Sequence, residues 1–165
     1  MTTIRRTLAP LLLLSLVSAL PASAAPANPG LPRHAQTPGA VDPRVTQATI
    51  MSTICVSGYT RTVRPPQSYT HDLKVSQLDS GYNYRGDTNT RDYEEDHLVP
   101  LEVGGSPSSV KNLWPEPRHI AFGASKKDAL ENAVHRLVCN GSLSLAAGQA
   151  LFEGNWIAAY HKYVG

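Results

Sequence analysis

Between residues 125 and 139, Ala129, Leu130, Ala133, Val134, Leu137 and Val138 recur at helical spacing. This predicts a helix over 125–139, with Ser125 as N-cap, Asp128 three residues on, and Asn140-Gly141 as the stop. Ser144 opens a second helix running to Phe152, Gly154-Asn155 breaks it, and residues 156–163 form a last short helix. Upstream, residues 93–101 read as a strand entering a turn, and the run Gly104 to Ser109 is dense in turn formers. Asn112-Leu113-Trp114 reads as a short strand, stopped by Pro115 and Pro117. Residues 45–56 predict a short helix or strand, Pro65-Pro66 ends any regular element before it, and 79–91 reads as a polar loop. Trp114 and Trp156 are expected in the core. The elements predict an α+β domain.

The amino-terminal end has a different pattern. Arg5 and Arg6 precede an apolar run over 8–20 that is shorter than a bilayer span, and Ala22-Ser23-Ala24 offers a small-x-small cleavage site. Residues 1–24 therefore read as a secretory signal, with the protein exported to the periplasm or the medium and free of the membrane after cleavage. Residues 25–44 are rich in Pro, Ala and Gly and are expected to form a flexible tether. One domain is expected over 45–165. The chain has 15 Lys and Arg against 13 Asp and Glu, and cleavage would remove two of the arginines. The mature charge is then formally neutral, so any nucleic-acid affinity has to come from a local patch. Cys55 and Cys139 lie 84 positions apart. In an oxidising compartment they are expected to pair, two buried thiols being the other reading.

Tyr93-Glu94-Glu95-Asp96-His97-Leu98-Val99-Pro100-Leu101, followed by Gly104-Gly105 and Asn112-Leu113-Trp114-Pro115-Glu116-Pro117, resembles the HNH (His-Me finger) endonucleases, and in particular small exported bacterial proteins with this motif. The resemblance covers about residues 50–160. It implies a ββα-metal core over about 93–139 with additional C-terminal helices. Without a Cys-x-x-Cys pair, no zinc ribbon accompanies it.

The resemblance implies a divalent-metal-dependent hydrolase of phosphodiester bonds, acting on DNA in preference to RNA. Such chemistry needs a base to activate water and a cation for the phosphorane charge. His97 is implied as the base, and Asp96 as a ligand of Mg²⁺, with Mn²⁺ or Zn²⁺ as alternatives. Asn112 is implied as the residue that fixes the loop. The family usually takes a further metal ligand from a His or Asn at the helix start, and neither stands there in this chain. Asp128, Glu131 and His135 are the candidates on the helix, His119 in the preceding loop being weaker. Lys127, Arg61 and Arg64 are candidate phosphate contacts, with Lys74 and Arg85 as further members of a basic patch. Glu94 and Glu95 read as solvated strand-edge charges, and Glu102 as a partner for a helix lysine or a support for the loop. A monomer is expected, and no immunity partner is evident. The other functional reading is an exported binding module that keeps the scaffold without hydrolysis.

Overall fold

In the computed structural model, residues 30–165 are described; the signal reading at 1–24 and the start of the tether lie outside them. Among the described residues, five α-helices surround one antiparallel strand pair. In chain order they are α1 (Tyr59–Val63), α2 (Gln67–Asp79), β1 (Tyr93–His97), β2 (Leu113–Pro117), α3 (Ala124–Cys139), α4 (Leu145–Glu153) and α5 (Trp156–Tyr163). The architecture is α+β, as the hydrophobic pattern predicts.

The strand pair runs in the register His97 opposite Leu113, Asp96 opposite Trp114 and Tyr93 opposite Pro117. Pro115 does not stop β2 but lies inside it, and Pro117 is its last residue. Leu98 N donates to Asn112 O and Arg118 N to Asp92 O. By alternation, the nitrogens of residues 113, 115 and 117 point away from β1, where a proline costs no ladder bond. Two of the outward carbonyls are taken by α2, Lys74 Nζ donating to Tyr93 O at 3.1 Å and Gln77 Nε2 to Leu113 O at 3.0 Å.

The core gathers Leu98, Val99, Val103 and Trp114 from the strand pair and its loop. Leu130, Val134 and Val138 join them from α3, and Phe152, Trp156 and Tyr160 from α4 and α5. The helix boundaries at the carboxyl end follow the sequence closely. Ser144 Oγ caps Ala147 N at 3.2 Å and Asn155 Oδ1 caps Ala158 N at 3.1 Å. The start of α3 differs: Gly123 holds the N-cap position without a side-chain bond, and Ser125 is already helical. Adding a Cβ at Gly123 would bring it within 2.5 Å of Pro117 O, so close backbone approach rather than capping chooses the residue there.

The disulfide forms between Cys55 and Cys139, with Cα atoms 5.6 Å apart. It ties the end of α3 to the segment 45–56, which is mostly turns around a single 3₁₀ turn at Ile50–Ser52, not a regular helix or strand. Among the described residues no helix is long and apolar enough to cross a membrane; the disulfide is compatible with export.

The tether expectation fails for residues 30–44. Gly39 N donates to Lys111 O, Asp42 N to Gly104 O, and Ser106 N to Ala40 O, so the segment lies against the loop between the strands. Thr37 and Asp42 are buried there. Its order comes from backbone hydrogen bonds and not from a run of apolar side chains, which is why composition misleads.

Candidate functional site

β1 is extended, so successive side chains alternate. Tyr93, Glu95 and His97 face α2, and Glu94 and Asp96 face the other way, toward α3. After His97 the chain turns through the loop 98–112, and Asn112 holds that loop closed. Its carboxamide oxygen accepts from Val99 N at 2.9 Å and from Ala40 N at 3.3 Å. Its nitrogen donates to Val99 O at 2.9 Å and Ser106 O at 3.0 Å. The side chain is fully buried, and all four partners are backbone. Gly105 is required by the same closure, because a Cβ there would overlap Val99 O.

The closed loop brings the carbonyl of Pro107 to within 2.8 Å of His97 Nε2. A carbonyl only accepts, so Nε2 carries the proton and Nδ1 keeps its lone pair. Burial pushes the His97 pKa below the usual value of 6.5, against the pull of Asp96. The ring is thus neutral at physiological pH, with a free base nitrogen.

On the opposite face, Lys127 of α3 reaches the back of the strand. Its ammonium donates to Asp96 Oδ2 at 2.6 Å, to the carbonyl of His97 at 2.7 Å, and to Glu131 Oε1. The residue is completely buried, and its Nζ lies 5.7 Å from the ring centroid of Phe152. Burial opposes the charge on Lys127, but Asp96, Glu131 and Glu116 outweigh it and raise its pKa. Burial likewise works against ionised Asp96, and the Lys127 ammonium overcomes it, holding the carboxyl down at about 2. Glu116 of β2 faces the same cluster, and burial pushes its pKa well up. Neither of its carboxyl oxygens has a donor. As a protonated acid it becomes a donor itself, with Asp96 as its acceptor.

On the His97 face lies an open groove of about 510 Å³, with Arg61, Arg64, His71, Lys74 and Arg118 along it. Glu94 and Glu95 line it as well, and Arg118 is paired with Glu94 at 2.9 Å. A smaller cavity of about 130 Å³ adjoins Asp96, His97, Glu102 and Glu131, and Arg64 borders both spaces.

The expected site residues separate into two groups. His97, Asp96, Asn112, Glu131, Arg61 and Arg64 come together around the end of β1. Lys127 does too, but as a buried counter-ion: it has no exposed surface with which to meet a phosphate. Asp128 is exposed on α3 and bonds neither Asp96 nor Lys127. His135 lies elsewhere, its Nε2 bonded to Ile54 O at 2.9 Å and its Nδ1 3.4 Å from Glu102. Glu102 therefore pairs with a histidine and not with a helix lysine. Arg85 stacks on Tyr84 away from the groove, and His119 stays on the surface beside Asp92.

His135 does share one arrangement with metal-binding chemistry. Cys55, His135 and Cys139 place donor atoms within 4.8 Å of one another. The two sulfurs are joined as a disulfide, and it is the thiolate that ligates metals.

Glu95 and Glu116 play parts that the sequence reading did not give them. Glu95 is not a solvated edge charge. Both its oxygens are buried without a partner, and burial, followed by repulsion from Asp96, raises its pKa to about 8. Glu116 has two-residue parity with the core residue Trp114, the signal that would have turned it inward.

In comparisons with known proteins, no family model, no curated protein and no solved structure matches the chain.

Proposed function

We propose that the groove binds nucleic acid and that His97 hydrolyses its phosphodiester bonds, the protein acting as an exported endonuclease. The observation that carries this reading is the tautomer of His97. Pro107 fixes the proton on Nε2, and Nδ1 is left as a base beside a groove lined with cations. In the reaction, Nδ1 takes a proton from water and the resulting hydroxide adds to phosphorus. The P–O ester bond then breaks, and the leaving oxygen takes a proton from solvent. Arg61, Lys74 and Arg64 supply backbone contacts, which position a strand without reading its sequence. Arg64 borders both His97 and the smaller cavity, which suits it to the developing phosphorane charge. The order of strand, loop, strand and helix, and the closure of the loop by Asn112, support the resemblance to the HNH endonucleases.

That resemblance implies Mg²⁺ or a similar dication on Asp96 with a helix ligand. The residues present do not fit it. Asp96 Oδ2 and Glu131 Oε1 are already bound by the Lys127 ammonium, and a dication between them would have to expel it. No step of the reaction is therefore routed through a metal.

Nicking of supercoiled plasmid tests the proposal, with and without added Mg²⁺ or Mn²⁺. The protein is expected to nick, and His97→Ala to lose at least about a hundredfold in rate, the usual scale of a general base, with an unchanged circular dichroism spectrum. Equal inertness of both proteins under all conditions would refute hydrolysis. Retained DNA binding in that case would leave a binding module on the same scaffold.

A further inference from the structure

A cluster of buried carboxylates beside a catalytic histidine has to be neutralised by something. We infer that Lys127 is the resident cation of this site: its ammonium occupies the position between Asp96 and Glu131 that a dication would take, so the site works without a metal there. The inference builds on the proposed hydrolysis but is read by metal binding alone.

The geometry carries it. An ammonium has three donors, and Lys127 has three acceptors: Asp96 on the strand, Glu131 one turn along its own helix, and the carbonyl of His97. No donor is left over, and no surface of the residue reaches solvent. A fully buried lysine is rare, and it is stable only when paired and hydrogen-bonded in this way. Its Nζ lies 5.7 Å from the ring centroid of Phe152, a core residue, so the charge sits against the core. Asp96 and Glu131 are then held by a cation that is covalently part of the chain.

Two consequences follow for the chemistry. Lys127 is a positioning residue, because the bond to the His97 carbonyl fixes the backbone that carries the base. The cation that meets substrate has to come from the other face, where Arg64 stands.

A metal titration decides the matter. With the metal-stripped protein, Mn²⁺ is expected to keep its free six-line electron paramagnetic resonance signal. The melting temperature should be the same in Mn²⁺ and in chelator. Lys127→Met removes the ammonium and leaves the carboxylates facing one another. This variant should quench the Mn²⁺ signal and regain stability from the metal. The expected gain is a rise of about 10 °C in Tm at free Mn²⁺ one hundred times Kd. A lysine that merely packs would leave no metal seat behind it, so a folded Lys127→Met that binds no Mn²⁺ overturns the inference. The unsubstituted protein decides even if Lys127→Met does not fold. Mn²⁺ that it binds and that Asp96→Asn releases overturns the inference; Mn²⁺ that stays free, or that is indifferent to Asp96→Asn, upholds it. None of these readouts needs turnover, so failure of the nicking assay and failure here are separate results.

Discussion

Asn112→Asp keeps the shape of the side chain and reverses half of its chemistry. The introduced carboxylate can still accept from Val99 N and Ala40 N, but it cannot donate to Val99 O and Ser106 O, whose carbonyl dipoles now point their negative ends at it from about the same 2.9 and 3.0 Å. Two lost hydrogen bonds cost about 1 kcal/mol each. An uncompensated charge at a fully buried position adds a few more, for a total of about 3–5 kcal/mol at pH 8. That corresponds to a fall of about 10–20 °C in Tm. The loss should also depend on pH. Burial and the two carbonyls raise the pKa of the introduced carboxyl above its unfolded value of about 4. Below that value the folded form carries the proton and can donate one bond, and the cost shrinks to about 1–2 kcal/mol. As pH rises through the folded pKa the full penalty returns. Thermal unfolding of the native protein, Asn112→Asp and Asn112→Ala at pH 4 and pH 8 measures this. The alanine variant, with no charge, should lose stability without the pH dependence. A loss below about 1 kcal/mol at pH 8, or one equal at both pH values, would show that the loop is not held by these four bonds.

Two further outcomes follow from the fold. Replacing both cysteines by serine opens a loop of 84 residues, and loop-closure entropy puts the cost at about 4.5 kcal/mol; urea unfolding with and without reductant should show the difference, and a reductant that does not shift the midpoint would contradict the pairing. Glu95 is raised to about 8 from the usual 4.5, so its contribution to stability is complete below pH 4.5 and is lost as pH rises through 8. Glu95→Gln should therefore match the native protein at pH 5 and exceed it at pH 9 by on the order of 2–4 kcal/mol, measured by the melting temperature at each pH.

The parts of the fold that were legible in the sequence are those with a strong period or a strong punctuation mark. α3 shows its apolar stripe, α4 opens at Ser144, and the Gly154-Asn155 break separates α4 from α5. α2 was not foreseen, because Gln67–Asp79 is polar and only Leu78 in it is buried. It is anchored by polar side chains on strand carbonyls, and no hydrophobic pattern records that. The prolines of β2 looked like stops because the sequence does not say which nitrogens face the partner strand. At the site, the strand end and the loop asparagine were readable through the resemblance, on the residues that carry it. Lys127 was not, because a lysine near a helix start is ordinarily solvated. Only the facing acids Asp96, Glu116 and Glu131, brought from three separate elements, reveal why it is buried.

The Cys55–Cys139 bond has a consequence beyond stability. The residues that build the site, from Arg61 to Glu131, all fall between the two cysteines in the chain, so the bond makes that stretch a closed covalent ring. A protease that cuts once inside it, for instance in the polar loop before β1, opens the ring without releasing a fragment. His97, the asparagine clasp and the buried lysine stay on one molecule. In an oxidising compartment the chain can be nicked and still keep its site assembled until the disulfide itself is reduced.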